Sequence, residues 1–156
     1  MAKAAIVPTF WIPSSATFPQ SPDRRLVAIH VAVRPPGLDH AVHAKERRVV
    51  AMLDTGADRN WIDLGLAAEL GLARGRQVQV GLTDAEKLEK PTVLGRICVR
   101  AASHHEGEFV GGDFRERGLA YEVLLGMDFL QHYRFTVDGY GGSHRLTYFG
   151  QNRRSS

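Results

Sequence analysis

The chain has little that would stabilise it apart from an ordinary hydrophobic core. Its 156 residues include a single cysteine, Cys98, so no disulfide forms within the chain and the fold does not depend on an oxidising compartment. No run approaches the roughly 18 uninterrupted apolar residues of a membrane-spanning helix. The apolar stretch at 4–12 is short and interrupted by Pro8, unlike a signal peptide. We therefore expect a cytoplasmic protein with no membrane segment.

The chain also lacks a large excess of charge of one sign. The 20 basic and 17 acidic residues leave a formal net charge of +3, and their signs alternate along the chain instead of forming a basic run. We therefore expect no nucleic-acid partner. A glycine-rich phosphate loop and a Gly-x-Ser-x-Gly elbow are absent from the sequence.

Two histidine pairs are the only candidates for metal ligands. They are His40 with His43, and His104 with His105. Neither pair has a nearby cysteine or an acidic ladder that would complete a metal site. We therefore expect these to be surface histidines, and we expect the protein to need no metal and no cofactor.

The composition that is present is that of a globular domain. Hydrophobic residues make up 44% of the chain and charged residues 24%, which predicts one domain with a substantial core. Residues 1–24 are rich in proline, serine and threonine and predict an extended N-terminal arm, a candidate propeptide. The domain is then expected at 25–150, and a polar tail at 151–156.

Short apolar segments rich in β-branched residues recur along this domain. Strands are predicted at 26–33, 48–53, 61–62, 77–82, 96–100, 108–114, 121–125, 135–138 and 145–149. Short helices are predicted at 64–72, where Gly71 provides the stop, and at 127–132. A charged stretch at 83–90 separates two alternating segments and predicts a hairpin in solvent. The expected fold class is mostly β with two small helices.

An acidic residue at the end of an apolar strand indicates a carboxylate with a functional role. Residues 49–57 read Val-Val-Ala-Met-Leu-Asp-Thr-Gly-Ala, and a carboxylate there is costly to bury unless a function or a partner requires it. The triplet alone is also typical of a turn after an edge strand. A second apolar segment, residues 124–130, reads Leu-Leu-Gly-Met-Asp-Phe-Leu and places Gly126 72 positions after Asp54 (126 − 54).

With the hairpin between them, these two segments resemble the retropepsin-like aspartic proteases. In that family a hydrophobic strand leads into Asp-Thr-Gly-Ala, a flap hairpin follows, and two apolar residues and a glycine precede a short helix. The resemblance covers about residues 25–149. It implies a closed β-sheet or barrel with a flap hairpin, equivalent to half of a pepsin-type bilobal site. It also implies an aspartic endopeptidase acting on extended peptide or protein substrates.

The catalytic chemistry of this family needs two carboxylates. Held a few ångströms apart, they share one proton, so that one activates a water and the other protonates the peptide. The chain has one Asp-Thr-Gly and no Asp-Ser-Gly, so we expect Asp54 of two protomers to form the dyad in a homodimer. By resemblance, Thr55 reaches a backbone group of the second protomer and Gly56 admits the substrate backbone. A capping hydroxyl and an ordinary turn glycine are the alternatives.

The same resemblance implies a set of substrate contacts after the triplet, in the hairpin and before the second helix. They are Ala57, Asp58, Leu82, Thr83, Asp84, Ala85, Leu125 and Gly126. For Asp58, a solvated loop carboxylate is the alternative. The flap is expected at 80–95, but its tip lacks the glycines usual in the family, which leaves the contact residue open. Met127 stands where some members have arginine, so their dimer salt bridge does not transfer.

Two other functions compete with this one. A retropepsin-like fold used for dimerisation or peptide binding without turnover is disfavoured by the intact triplet at 54–56. A nucleic-acid-binding β-barrel is disfavoured by the scattered charges. Phe18-Pro19 resembles the aromatic-proline junctions at which retroviral proteases release themselves. Autoprocessing at this bond is therefore a hypothesis, beside an ordinary proline-rich leader.

Overall fold

The structure, a computed structural model, is built mainly from strands. It describes residues 4–13, 25–37, 45–83, 86–100, 103–138 and 144–148. The strands are β1 (Ala5–Val7), β2 (Phe10–Pro13), β3 (Arg25–Arg34), β4 (Arg47–Leu53), β5 (Trp61–Asp63), β6 (Arg74–Thr83), β7 (Glu86–Val99), β8 (Ser103–Gly112), β9 (Val123–Leu125), β10 (Tyr133–Val137) and β11 (His144–Tyr148). The helices are α1 (Leu64–Glu69) and α2 (Met127–Leu130).

The larger of two sheets closes on itself. Its strand order is β2-β3-β4-β9-β5-β8-β7-β6, and a further antiparallel pairing of β3 with β7 joins the two sides. The ring therefore runs through β3, β4, β9, β5, β8 and β7, with β2 and β6 attached outside it. Closure gives most strands a neighbour on both sides and leaves few free edges. The predicted mostly β fold with a closed sheet and two short helices is confirmed.

The main core fills this ring because strand residues alternate between its two faces. In β3 the side chains of Ile29, Val31 and Val33 are buried in it, whereas His30 on the other face is exposed. Phe109 and Phe129 are the largest fully buried side chains of this core. The ring thus supplies a rigid frame for the loops at its ends.

The first helix is set by residues at its two ends. The Asp63 carboxylate accepts a hydrogen bond from the Leu66 backbone N–H (3.0 Å), which caps the start of α1. Gly71 has φ +64°, a conformation that glycine adopts without strain, and it stops the helix. The predicted helix at 64–72 is thus present but ends at Glu69.

Residues 5–13 form strands, which corrects the prediction that this segment is part of an extended N-terminal arm. β1 pairs with β11 in a smaller sheet of order β1-β11-β10, and β2 pairs with β3. Val7 and Ile12 are buried, so this segment belongs to the packed domain. The prediction of an extended arm was based on the prolines. Pro8 lies between two strands and Pro13 ends β2, and proline is tolerated at both positions. Residues 14–24, including Phe18-Pro19, and the tail 151–156 lie outside the described residues.

The hairpin of β6 and β7 carries the predicted charged stretch. The two strands pair from Arg74 opposite Val93 to Thr83 opposite Glu86, and residues 86–89 are exposed. Asp84 and Ala85, predicted substrate contacts at its tip, lie outside the described residues. No helix in the described part of the chain has the length and apolar character needed to cross a membrane.

Candidate active site

Asp54 lies where two neighbouring parallel strands, β4 and β9, both end. Its backbone N–H donates to the Leu125 carbonyl (2.9 Å), which extends the pairing of Leu53 with Leu125 by one residue. The Gly56 backbone N–H donates to Oδ1 of Asp54 (2.8 Å) and fixes the orientation of the half-buried carboxylate. Oδ2 has no hydrogen-bond partner among the described residues. The arrangement leaves one carboxylate oxygen open to a water or to another carboxyl group.

Gly126 locks the loop 54–60, here called the Asp54 loop, against β9. Its N–H donates to the Asn60 side-chain Oδ1 (3.0 Å) in a buried hydrogen bond. A Cβ on Gly126 would lie 2.4 Å from the Ala57 carbonyl oxygen and 2.6 Å from that of Arg59. Real Cβ atoms do not come this close to backbone oxygens, so only glycine fits here without displacing the Asp54 loop.

The start of α2 makes further bonds to the Asp54 loop. The Met127 N–H donates to the Ala57 carbonyl (2.7 Å), and the Asp128 N–H donates to the Asp58 carbonyl (2.9 Å). These orphan amides of a short helix thus find backbone partners. Two consecutive bonds between the same two segments prevent the Asp54 loop from sliding along α2.

Phe129 of α2 belongs to an aromatic cluster, which supports this helix. Phe129 stacks on Tyr133 with ring centroids 4.5 Å apart, and His105 meets Phe129 edge-on at 4.8 Å. His105 Nε2 and the Tyr133 hydroxyl share a hydrogen bond (3.2 Å), and Ser103 also hydrogen-bonds that hydroxyl. Burial, with smaller contributions from His132 and His104, lowers the pKa of His105 to about 4. The expectation of a surface histidine is therefore wrong for His105, which is half-buried.

Five of the predicted site residues lie together in the Asp54 loop. Asp54 and Ala57 are half-buried, while Thr55, Gly56 and Asp58 are exposed. The Thr55 hydroxyl has no hydrogen-bond partner within the described segments. An exposed threonine hydroxyl at this point is free to bind another molecule. Leu82 and Thr83 belong to β6, in the hairpin.

The structure corrects the assignment of Leu125 and Gly126 as substrate contacts. The Leu125 side chain is 0% exposed and belongs to the main core, and its carbonyl holds the Asp54 backbone. Gly126 is also buried and packs against the backbone of the Asp54 loop. Because strand side chains alternate, the neighbouring Leu124 takes the other face, where it is half-buried beside Met52. Of these two side chains, that of Leu124 is the one that is partly exposed.

Asn60 and His105 support the site although their sequence context did not indicate it. Asn60 lies 66 positions from Gly126, which its side chain bonds, and His105 lies 28 positions from Tyr133. Such contacts leave no local pattern. Among the described residues, no group of three His, Cys, Asp or Glu side chains is arranged to hold a metal ion.

The sequence between 41 and 132 matches the model of a protein family. That family is described as "gag-polyprotein putative aspartyl protease", and the match runs from before β4 to the residues after α2. The chain belongs to this family. It is an aspartic protease, a hydrolase of peptide bonds, and the match includes both the Asp54 loop and Gly126. The resemblance seen in the sequence is confirmed.

Solved structures of aspartic proteases are similar to this chain. EIAV protease complexed with the inhibitor HBY-793 is 21% identical over 67% of this chain and 84% of its own, with a TM-score of 0.44. A retropepsin-like aspartic protease from Rickettsia conorii is 19% identical over 95% of this chain and 97% of its own, with a TM-score of 0.48. No curated protein matches this chain.

Proposed function

We propose that this aspartic protease acts as a homodimer in which Asp54 of each protomer supplies half of the catalytic dyad. The observation that supports it is the Asp54 loop. It presents one half-buried carboxylate with one oxygen held by Gly56 and the other without a partner among the described residues. The chain has a single Asp-Thr-Gly, so a second copy is the simplest source of the second carboxylate. Thr55 is exposed next to Asp54, which supports the proposal that its hydroxyl bonds that copy.

The proposed reaction needs no group beyond these carboxylates and a water. The ionised Asp54 takes a proton from the water as its oxygen attacks the peptide carbonyl carbon, and the protonated Asp54 of the second copy donates to the carbonyl oxygen. The tetrahedral intermediate then collapses: the first Asp54 gives its proton to the leaving amine, and the second takes a proton from a hydroxyl of the intermediate, which leaves the carboxylic acid and restores the shared proton of the dyad. Because the Asp54 loop is held by backbone bonds, little reorganisation is required during the reaction.

The substrate is proposed to bind as an extended strand between the dyad and the β6–β7 hairpin. Ala57 and Asp58 follow Asp54 in the Asp54 loop, and the hairpin would close over the peptide as a flap. Residues 86–89 of that hairpin are exposed, which suits a cover that opens to admit the peptide. Closure would also exclude bulk water from the reaction.

The substitution Asp54→Asn tests the mechanism. The change is nearly isosteric but removes the shared proton, so we expect peptide cleavage to fall at least about 100-fold while the protein stays folded. Cleavage is measured with a proteome-derived peptide library, with Asp113→Asn as the control because Asp113 is an exposed carboxylate outside the Asp54 loop. Mass spectrometry of the natural chain and of Asp54→Asn also reports self-cleavage at Phe18-Pro19, which should occur only with Asp54 intact.

Dilution tests the dimer. If each protomer carries half a site, activity per chain falls below the dimer dissociation constant. Sedimentation over the same concentrations gives that constant independently. Constant activity per chain in protein that sediments as a monomer would refute the dimeric dyad, and full cleavage by Asp54→Asn would refute the aspartic mechanism.

A further inference from the structure

Three polar side chains that the proposed reaction does not use are joined by hydrogen bonds. The middle one is Tyr133, whose hydroxyl shares one hydrogen bond with His105 Nε2 (3.2 Å) and another with the Ser103 hydroxyl. Ser103 is 4% exposed, and Tyr133 and His105 are half-buried. We call these three side chains the Tyr133 network. A buried polar network holds its members in place as long as each of its hydrogen bonds is made.

The Tyr133 network contacts α2 through aromatic rings. Phe129, a fully buried residue of α2, stacks on the Tyr133 ring and meets the His105 ring edge-on. The helix has only the four residues Met127–Leu130, and its N-cap, Gly126, has no side chain to cap it. So short a helix has little stability of its own, and its position therefore depends on the packing of Phe129.

The same helix holds the Asp54 loop. The Met127 and Asp128 amides donate to two carbonyls of that loop (2.7 and 2.9 Å). Because Phe129 directly follows these two residues, a shift of its ring also displaces their amides. The Tyr133 network is therefore coupled through α2 to the orientation of the Asp54 carboxylate.

His105 is the member of the network whose charge changes in acid. Burial lowers the pKa of His105 to about 4, with smaller contributions from His132 and His104. Burial raises the pKa of the Tyr133 hydroxyl, which therefore stays protonated. Neutral His105 can accept a hydrogen bond from that hydroxyl or donate one to it, whereas the protonated ring can only donate.

The side chains that face His105 offer no counter-ion to its protonated form. They are Ile97 opposite it in β7, Phe129 in α2, His132 after that helix, Tyr133 in β10 and the neighbouring His104 in β8. None of these side chains is a carboxylate. A positive charge on His105 is therefore best stabilised when the ring moves towards water, which breaks its hydrogen bond to Tyr133.

We propose that Ser103, Tyr133 and His105 are positioning residues for the catalytic Asp54, and that protonation of His105 sets the acid limit of the activity. With His105 neutral, the Tyr133 network holds α2, and the Asp54 carboxylate is aligned for proton transfer. With His105 protonated, the network opens, the bonds from α2 to the Asp54 loop loosen, and kcat falls. The effect on kcat rests on the proposed function, whereas the loosening of α2 does not.

Hydrogen exchange tests this coupling without any substrate. A group with a pKa of about 4 is about 90% protonated at pH 3 and about 10% protonated at pH 5. The protection factors of the Met127 and Asp128 amides should therefore fall at least about 5-fold between pH 5.5 and pH 3 in the natural chain. In His105→Gln they should change by less than about 2-fold, because glutamine can still bond the Tyr133 hydroxyl but carries no charge.

The pH dependence of kcat tests the effect on the reaction. The ratio of kcat in His105→Gln to kcat in the natural chain should rise about 5- to 10-fold from pH 5.5 to pH 3. The titration of the Asp54 dyad is common to both proteins, so this ratio isolates the contribution of His105. In His30→Gln, at an exposed histidine outside the Tyr133 network, the corresponding ratio should stay constant.

Tyr133→Phe tests the positioning role of the hydroxyl. The substitution keeps the ring that stacks on Phe129 but removes both hydrogen bonds of the network. We expect kcat at pH 5.5 to fall about 3- to 10-fold with KM unchanged within about 2-fold, because the network acts on Asp54 and not on the peptide. Tyr148→Phe is the matched control, since its ring lies 5.3 Å from that of Tyr133 outside the network, and it should change neither constant.

The outcomes separate this inference from the proposed function. Full cleavage by Asp54→Asn overturns the aspartic mechanism, whereas the exchange of the Met127 and Asp128 amides still reports on the coupling. Unchanged protection of these amides down to pH 3, or a constant kcat ratio for His105→Gln, overturns the role of His105. Wild-type kcat in Tyr133→Phe overturns the positioning role of the network. Thermal unfolding checks that each variant is folded, and if one is not, exchange in the natural chain decides.

Discussion

The Asp54 loop and the β6–β7 hairpin are assigned to the same reaction but are held in opposite ways. The Asp54 loop is bonded through its backbone to Leu125, Met127 and Asp128, and Gly126 packs directly against it. The hairpin leaves residues 86–89 exposed, and Leu88 is 48% exposed. A carboxylate that moves a proton must be held in place, whereas a cover over the substrate must move. The proposed function therefore assigns the proton transfer to the more tightly bonded of the two segments and the cover over the substrate to the more exposed one.

This contrast separates two kinds of mutational effect. Changes in the supports of the Asp54 loop should lower the free energy of unfolding and the activity together. Changes in the exposed part of the hairpin should alter the activity with little effect on the free energy of unfolding.

The largest effect is expected for Gly126→Ala. The added Cβ would collide with two backbone carbonyl oxygens, so the Asp54 loop must shift, at a cost of about 1–3 kcal/mol in the free energy of unfolding. A displacement of about 1 Å at the carboxylate costs on the order of 100-fold in rate. Urea unfolding and peptide cleavage measure the two effects.

Gly107→Ala is the matched control for that substitution. A Cβ on Gly107 would meet no atom within 4 Å, so its effect should stay within about 0.5 kcal/mol. If Gly126→Ala behaved like Gly107→Ala in both measurements, close packing at Gly126 would not be what holds the Asp54 loop.

A smaller effect, dependent on pH, is expected for His105→Gln. The folded-state pKa of His105 is about 4, below its ordinary value of 6.5, so the unfolded chain binds the extra proton between these pH values. Stability should therefore fall as the pH drops from about 6.5 to 4. Glutamine does not titrate. The free energy of unfolding of the variant should therefore fall by about 1–2 kcal/mol less than that of the natural chain over this pH range, with allowance for partial solvent screening.

Urea unfolding at pH 7 and pH 4 measures this difference. His30→Gln, at an exposed histidine outside the aromatic cluster, serves as control and should keep the acid dependence of the natural chain. Equal acid dependence in His105→Gln and the natural chain would show that the support behind α2 is not acid-sensitive.

The smallest effect on stability is expected for Leu88→Ser in the hairpin. Leu88 is 48% exposed, so the free energy of unfolding should change by less than about 0.5 kcal/mol. If the hairpin closes on the peptide, kcat/KM should fall about 2- to 10-fold because apolar surface that contacts the substrate is lost. Val137→Ser, at a 56% exposed site in β10, should change neither quantity. An unchanged kcat/KM in Leu88→Ser would remove this part of the hairpin from the substrate contact.

The parts of the site that were predictable from sequence are those with local patterns. An apolar strand before Asp54 and a glycine before α2 leave such patterns, and both are present. The face of Leu125 was not predictable, because Val123, Leu124 and Leu125 are all apolar and their run has no alternation to show which side is buried. β2 was missed because its partner β3 lies beyond a proline-containing segment, and its strand character depends on that pairing.

The pairing of β1 with β11 has a consequence for synthesis. Ala5 pairs with Tyr148, 143 positions later (148 − 5), so β1 has no partner until β11 has been synthesised. At about 5–20 residues per second, that delay is roughly 7–30 s on the ribosome. During this interval the growing chain carries an unpaired apolar strand, and the smaller sheet cannot assemble. The smaller sheet therefore depends on synthesis reaching β11, whereas the ring of the larger sheet uses no strand later than β9.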